Sequence, residues 1–449
     1  MREHTLPTRR AFLETTGLAA GLGTLAGSSS LQAAPSQGSK LKVAAIASTY
    51  YYLSHAYHIV GRFLDGFPVH EGHDPHRPDF DISSLFIEQI SDATDLGRAK
   101  AERHKVRLSP NIADALTLGT GKLAVDAVLL IGEHGDYPYN EKLQKLYPRG
   151  RFFREIHEVF KASGHGVPVF IDKHLSYSRP EALSMVEMAK SLGYPLMAGS
   201  SLPVTWRLPE LEVPLGLKWN EAVVASRGDI EIFGFHALET LQCMVERRDR
   251  GGKPQGVKAV TCLEGDAIWD AGDRGVWSWP LLNEALGRSH SVNPGDIRQN
   301  TKDYKPPAGK DYFTRMPDPV AFLVEYTDGF RAAAMILNGH VDDTTIAAKI
   351  GDQVASTLVY LPAPPGASFF NPLVLRIEDF FKAKTPPYPV ERTLLTGGIL
   401  DAALESRIKK HARIETPDLA AIDYKAPADS GFIRTPLTNP AANPKELNS

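Results

Sequence analysis

The sequence has little of three features that would mark a specialised class of protein. Its two cysteines, Cys243 and Cys262, lie far apart without a CxxC spacing, so neither a disulfide scaffold nor a cysteine zinc site is indicated. Uninterrupted apolar runs of about 18 residues are missing, which argues against a membrane-spanning helix. A formal net charge of -3 and the lack of a basic patch argue against nucleic acid or an anionic membrane as a partner. With 449 residues, the chain is long enough for about two domains.

The N-terminus differs in kind from the rest of the chain. The segment "TRRAFLETTGLAAGLGTLAGSSSLQAAPS" has paired Arg9 and Arg10, then Phe12 and Leu13, then a weakly apolar stretch that ends in small residues. This pattern is typical of a twin-arginine export signal, and its glycines argue against a stable helix. We therefore expect residues 1–34 to be a signal peptide, residues 35–40 a leader, and the mature protein to be periplasmic or secreted.

The first half of the mature chain alternates apolar runs with helical patterns. Buried strands are predicted at 43–47, 82–87, 123–131 and 167–171 and in "PLMAG", with helices at 151–163 and from Pro180 to Gly193. Such alternation favours an α/β fold with a Rossmann-like, doubly wound parallel sheet over residues 41–204.

The rhythm changes after about residue 205. "GVKAVTCLEG" and "AFLVEYTDGFRAAAMILNG" are strand-like, the second with a Thr-Asp-Gly hairpin signal, and "VERTLLTGGILDAALESRIKK" is a last helix. The pattern predicts an α+β domain with a mostly antiparallel sheet over residues 205–449.

Polar residues follow three consecutive strands of the predicted parallel sheet. Because ligands bind outside the carboxyl ends of such strands, these residues are candidates for a site. They are Glu133, His134, Asp136, Asp172, Lys173, His174, Ser200, Ser201 and Arg207.

The segments "VDAVLLI", "VPVFIDKHLS" and "EALSMVEMAKSLGYPLMAGS" resemble the Gfo/Idh/MocA family of glucose-fructose oxidoreductase and inositol dehydrogenase relatives. The resemblance implies a hydride transfer between NAD or NADP and a sugar or polyol. It assigns catalysis to Lys173, in place of the lysine of a Glu-Lys-Pro motif, and to His236 and Glu239 of "GFHALE". It also implies a homodimer or homotetramer, formed through the open face of the second sheet.

The resemblance also implies contacts with the cofactor and the substrate. The nucleotide would meet Ala47, Ser48 and Thr49 after the first strand, Glu88 after the second, and Glu133 and His134 after the next long one. Candidate substrate contacts are Asp136, Asp172, His174 and Arg207.

Several positions depart from the family pattern. Ala47, Thr49 and Tyr52 stand where a G-x-G-x-x-G loop would have glycines that let the backbone approach a pyrophosphate. Ile232 replaces the usual aspartate four residues before His236, and Glu231 beside it would point to a different side of the helix. Asp172 and His174 flank the lysine in place of glutamate and proline.

The helix "FHALETLQCMVERR" allows two interpretations of His236. Phe235, Leu238, Leu241 and Val245 form an apolar stripe, while His236 and Glu239 share another face. The helix pattern alone favours a core histidine that is hydrogen-bonded to Glu239. When the resemblance is added, a role for His236 in relaying a proton is favoured instead.

Two other groups of residues leave alternatives open. Tyr50, Tyr51, Tyr52, His55 and His58 either line a sugar pocket or pack at the start of the first helix. A loop with His70, His73 and His76 among carboxylates could bind a divalent metal, but a solvated loop is favoured because prolines keep it extended. A second possible ligand set is His134, Asp136, His174 and His236. We predict no metal site, and NAD or NADP as the cofactor.

Three functions remain open on the sequence. The first, which we favour, is an exported NAD(P)-dependent sugar or polyol oxidoreductase with a degenerate phosphate loop. The second is a metal-assisted lyase or hydrolase on carbohydrate. The third is a glycan-binding protein without catalysis.

Overall fold

A computed structural model describes residues 40–69, 75–306, 318–362 and 366–434. The predicted signal peptide and leader fall outside these ranges except for Lys40, as do His70 and His73. Within the described residues, no helix combines the length and apolar character needed to cross a bilayer.

The first sheet is parallel and, in the described part of the chain, has six strands. They are β1 (Leu41–Ala47), β2 (Phe80–Ile87), β3 (Arg107–Leu108), β4 (Ala127–Ile131), β5 (Val169–Asp172) and β6 (Leu196–Gly199). Their spatial order, β3-β2-β1-β4-β5-β6, reverses between β1 and β4. This is a Rossmann-like order, and its switch point is where a ligand crevice is expected.

The strands and helices of this half arise from simple local signals. Every residue of β4, "AVLLI", is buried, as expected for a parallel strand covered on both faces. The helices are α1 (His55–Asp65), α2 (Gly97–His104), α3 (Ile112–Thr117), α4 (Arg149–Ser163) and α5 (Arg179–Leu192). Gly164 and Gly193 end α4 and α5 in left-handed conformations, so both predicted helix ends are confirmed.

The second sheet has eight strands among the described residues, in the order β14-β9-β10-β11-β8-β12-β13-β7. They are β7 (Trp206–Leu208), β8 (Trp219–Ser226), β9 (Val257–Glu264), β10 (Val320–Tyr326), β11 (Arg331–Ile336), β12 (Thr344–Ile350), β13 (Gln353–Tyr360) and β14 (Ile414–Glu415). Neighbours are antiparallel except β8 and β11. The predicted fold class, a doubly wound sheet followed by a mostly antiparallel one, is confirmed.

The second half has seven helices in the described part of the chain. They are α6 (Ile232–Val245), α7 (Asp266–Asp273), α8 (Trp279–Leu286), α9 (Ile297–Lys302), α10 (Phe370–Ala383), α11 (Val390–Ile408) and α12 (Pro417–Ala420). Helices α6 and α11 share a buried apolar cluster with strands of both sheets. Helix α10 returns to the first sheet and packs against α1. The predicted domain boundary at residue 204 thus falls between β6 and β7. Helix α10 lies beyond this boundary in sequence but packs with the first domain.

Helices α7 and α8 cover the face of the second sheet that points away from α6. Trp269 and Trp277 are buried there against Val223, Ala333 and Met335. The resemblance implied an open sheet face for association between subunits. In the described residues α7 and α8 occupy part of that face, while Lys349 and Val354, which lie on the same face, are exposed.

Candidate functional site

The carboxyl ends of β4, β5 and β6 bring five polar residues together. We call Glu133, Asp172, Lys173, Ser200 and His236 the strand-end cluster. The backbone N–H of Lys173 donates to the carbonyl of Gly199 at 3.0 Å, which ties the end of β5 to the end of β6. Lys173 has a positive φ of 63°, uncommon for a residue with a side chain, so its backbone is held in an unusual conformation where the chain leaves the sheet.

Glu133 holds two buried cations at the centre of the cluster. Its carboxylate accepts from Lys173 Nζ at 3.0 Å and from the guanidinium of Arg149. Burial alone would raise the pKa of Glu133, but Lys173 and Arg149 outweigh it and hold that pKa well below its usual value. The predicted contact of Glu133 with the cofactor stays a prediction; within the chain its carboxylate is bonded to Lys173 and Arg149.

His236 reaches the cluster from α6 and is oriented through one ring nitrogen. Nδ1 lies 3.1 Å from Ser200 Oγ and 3.3 Å from Glu239 Oε2. Glu239 also accepts from the Ser200 backbone N–H at 2.9 Å, so helix and strand end are bound together. Burial lowers the pKa of His236, which favours the neutral ring. The expected bond to Glu239 is present, and Nε2 forms no hydrogen bond with the described residues.

Asp172 is fully buried beside Lys173 and has a partner that the sequence pattern did not assign to it. His55 Nδ1, at the first residue of α1, lies 2.6 Å from Asp172 Oδ2, while Asp172 Oδ1 has no hydrogen-bond partner among the described residues. The His55 ring lies between those of His134 and Phe370, each 5.1 Å away between ring centres. One feature of the sequence could have indicated His55 as a site residue: it directly follows Ser54, the residue that caps the start of α1.

The candidate nucleotide contacts after β1 and β2 are largely occupied by internal bonds. Ala47 is buried, and Ser48 Oγ donates to the carbonyl of Glu133 at 2.6 Å. Thr49 is half-buried. Glu88 lies at the end of β2, as predicted, but its carboxylate accepts from Tyr137 at 2.6 Å and from Arg151. For Glu88 to hydrogen-bond a ribose hydroxyl, one of these two bonds would have to be replaced.

The three tyrosines take three different environments. Tyr50 is buried in the core beneath α1, and Tyr52 is 46% exposed. Tyr51 sets its ring edge against His134, 5.6 Å away. His58 is buried and stacked on Phe370. The two alternatives therefore apply to different residues. Tyr50 and His58 pack in the core, whereas Tyr51 lies against His134 at the carboxyl end of the sheet.

Three predicted substrate contacts differ in their positions. Asp136 is exposed, and its backbone bonds to Gln89. His174 is buried, with Nε2 3.4 Å from Arg149 and 3.7 Å from Glu231. Arg207 lies on β7 of the other sheet, packed on Phe432 and donating to the carbonyl of Leu211, so the fold does not bring it to the cluster.

Glu231 is a buried carboxylate that lies behind the cluster and was not among the predicted site residues. Its Oε2 accepts from the Lys145 backbone N–H at 3.0 Å, and Oε1 has no hydrogen bond within the described part of the chain. Burial raises its pKa to about 7. As expected, Glu231 points away from His236 and faces His174 instead.

The second possible metal-ligand set does not assemble. His134 faces His55, His174 faces Arg149, and Asp136 is exposed. Among the described residues, no group of three or more His, Cys, Asp or Glu side chains could hold a metal ion.

Solved structures with a similar architecture are known. The chain resembles GenD2 from gentamicin A biosynthesis in complex with NAD, with 14% identity and a TM-score of 0.53, over 88% of this chain and 99% of that one. A myo-inositol dehydrogenase from Lactobacillus casei in complex with NAD(H) and myo-inositol has 9% identity and a TM-score of 0.49, over 84% and 97%. A Gfo/Idh/MocA family oxidoreductase from Vibrio cholerae has 13% identity and a TM-score of 0.44, over 82% and 97%.

No family model and no curated protein matches the chain. At 14% identity, the likeness to GenD2 shows a shared fold. The resemblance that the sequence indicated is thus confirmed at the level of the two-domain fold, and the reaction has to be argued from the site.

Proposed function

We propose that this chain is a divergent member of the Gfo/Idh/MocA family, an oxidoreductase that transfers a hydride between NAD or NADP and a neutral sugar or polyol. The observation that carries the proposal is Lys173, buried at the end of β5 on Glu133 with His236 bonded to the adjoining strand end. Alcohol oxidation needs a cation to stabilise negative charge on the substrate oxygen and a base to accept the hydroxyl proton, and a lysine ammonium and a histidine are groups of these two kinds.

The residues at the crevice fit a dinucleotide at two points. Asp172 Oδ1 is a buried carboxylate oxygen without a hydrogen bond among the described residues, and a ribose or substrate hydroxyl would satisfy it. Helix α1 begins at the switch point between β1 and β4, where its positive end favours a pyrophosphate. GenD2 was solved with NAD, which supports the same class of cofactor here. When bound, the nicotinamide ring supplies the hydride acceptor or donor.

The chain's own residues supply the remaining chemistry. The ammonium group of Lys173, which is paired with Glu133, would stabilise negative charge growing on the substrate oxygen. Ser200 and Glu239 hold the His236 ring by Nδ1, so Nε2 is free to bond the substrate hydroxyl. Deep burial of Lys173 and Glu133 keeps water from weakening these interactions.

The test has two parts. The purified protein is denatured, and any released nicotinamide nucleotide is identified by mass spectrometry; binding of added NAD and NADP is measured by calorimetry. Lys173→Met is then compared with wild type for oxidation of a panel of polyols and sugars. We expect nucleotide binding, and a loss of kcat of at least about 100-fold in the variant with the fold retained. No nucleotide in either form, or full activity in Lys173→Met, would contradict the proposal.

We also propose that the protein is exported in folded form by the twin-arginine route to the periplasm or the medium. Paired Arg9 and Arg10, followed by a weakly apolar segment, support this location. Export after folding would let a tightly held nucleotide travel with the protein.

A further inference from the structure

His55 and Asp172 meet at the carboxyl end of the first sheet. His55 is the first residue of α1, and Asp172 is the last residue of β5, so the pair links two elements that are far apart in sequence. The Nδ1 to Oδ2 distance is 2.6 Å, with the Asp172 side chain fully buried and the His55 side chain 16% exposed. A short hydrogen bond to a buried carboxylate fixes the orientation of an imidazole more firmly than an ion pair at the surface does.

The bond sets which nitrogen of His55 carries the proton. A carboxylate accepts a hydrogen bond, so Nδ1 is the protonated nitrogen and Nε2 has a free lone pair when the ring is neutral. Nε2 forms no hydrogen bond with the described residues. The arrangement matches the orientation of an imidazole by an aspartate in nucleophilic enzymes, where the other nitrogen takes a proton.

The proposed oxidation needs a proton acceptor that Lys173 does not supply. Its ammonium group donates to Glu133 and has no lone pair to accept a proton. His236 is the other candidate acceptor; its side chain is 12% exposed against 16% for His55, and its Nδ1 lies 3.3 Å from Glu239, which also bonds Ser200. Ile232 occupies the place of the aspartate that the resemblance led us to expect. His55 lies beside Asp172, the residue that precedes Lys173.

We infer that His55 and Asp172 form an acid–base dyad for the proposed reaction, with His55 Nε2 as the proton acceptor and Asp172 as its positioning residue. During oxidation the substrate O–H bond breaks and its proton moves to Nε2. The C–H electron pair leaves as hydride to an oxidised nicotinamide nucleotide, and a C=O bond forms. In the reverse direction, the imidazolium returns the proton. The inference rests on the proposed function, since that function supplies the oxidant.

The groups that face His55 come from four elements. Asp172 lies on β5, Glu133 and His134 follow β4, His236 lies on α6, and His58 lies one turn along α1. Burial lowers the pKa of both His134 and His58, so these two rings are neutral near pH 7 and do not compete for the proton. An acidic limb in the rate profile would therefore report the dyad, or His236.

The first measurement uses protein that carries no nucleotide. Histidine-labelled wild type is examined by ¹⁵N NMR, and the His55 signals are assigned from their loss in His55→Asn. We expect the Nδ1–H tautomer in wild type, and a mixture of tautomers in Asp172→Asn, whose amide can also donate. A His55 ring protonated on Nε2, or a tautomer unchanged in Asp172→Asn, would overturn the inference.

The second measurement is the pH dependence of kcat/KM for polyol oxidation. His55→Asn should lose about 100-fold or more in kcat/KM and its acidic limb, because no proton acceptor remains at that position. His104→Asn is the matched control: His104 also pairs with an aspartate, Asp65, at 2.9 Å, but away from the crevice, and this variant should match wild type. An active wild type with an equally active His55→Asn overturns the dyad alone. A wild type that binds no nucleotide and oxidises no polyol overturns the proposed function, and the catalytic role of the dyad with it.

Discussion

At the scale of single residues, the site is organised by buried carboxylates with different partners. Glu133 is paired with two cations, Asp172 with one imidazole, and Glu239 with a serine and a histidine. Glu231 has a backbone N–H and a distant imidazole. Because an ionised carboxylate needs compensation in a low dielectric, burial raises the pKa of the less well paired Glu231.

Glu231 gives a prediction about stability and pH. Its pKa in the folded protein is raised from 4.5 to about 7, so its contribution to stability is complete below about pH 4.5 and is lost as the pH rises through 7. Glu231→Gln has no carboxylate to ionise at this position, so it does not lose stability as the pH rises. Its free energy of unfolding should exceed that of wild type at pH 8 by an amount on the order of 3 kcal/mol or less, with little difference at pH 5. The measurement is urea unfolding at both pH values. Glu187→Gln, on the exposed face of α5, serves as the control and should behave as wild type does. Parallel pH profiles for wild type and Glu231→Gln would contradict the assignment.

At the scale of secondary-structure elements, the turn from β1 to α1 replaces glycine with side-chain hydrogen bonds. Ser54 caps α1, its Oγ accepting from the backbone N–H groups of Tyr57 at 3.2 Å and Tyr51 at 3.1 Å. Leu53 takes a positive φ of 66° just before the cap, where a glycine would be free of strain. The cap thus fixes both the helix start and the position of His55.

The cap leads to a prediction for the helix start. Ser54→Ala should cost about 1 kcal/mol of unfolding free energy and weaken nucleotide binding, since two N–H groups lose their acceptor. Ser178→Ala is the matched control: Ser178 precedes α5 in the same position, but its side chain makes no capping bond. Denaturant unfolding and calorimetry measure both effects. Equal losses in the two variants would show that the Ser54 cap does not support the site.

The sequence predicted elements well where the local signal was long. The buried strands of the first sheet, α4, α5, α11 and the β10–β11 hairpin lie close to their expected positions. The two-residue strands β3 and β14 and the three-residue β7 are too short to give a periodic pattern, and pairing with a neighbouring strand creates them. Helices α7 and α8 were missed because their role, covering a sheet face, depends on strands distant in sequence.

At the scale of the whole molecule, two features bear on partners and location. Helices α7 and α8 cover part of the outer face of the second sheet, with Trp277 only 2% exposed. A homodimer or homotetramer stays a prediction. Export also stays a prediction, because Arg9 and Arg10 lie outside the described residues.

Export can be tested on the full chain. Replacing both Arg9 and Arg10 with lysine should retain the protein inside the cell, because the twin-arginine route reads that pair. Arg2→Lys makes the same chemical change a few residues earlier and should leave export unaffected. Cell fractionation followed by immunoblotting measures the distribution. Equal export of the paired-lysine variant and wild type would contradict the proposed route.

The sequence by itself determined the longer elements of the first sheet, the fold class and the candidate lysine, because apolar runs, helix ends and strand-end polar residues are local patterns. The tertiary structure decided which of these residues meet. It bonded His55 to Asp172, buried Glu133 between Lys173 and Arg149, and left Arg207 in the other sheet. Those contacts join positions separated by tens to more than a hundred residues, and packing, which brings such positions together, leaves no periodic trace in the chain.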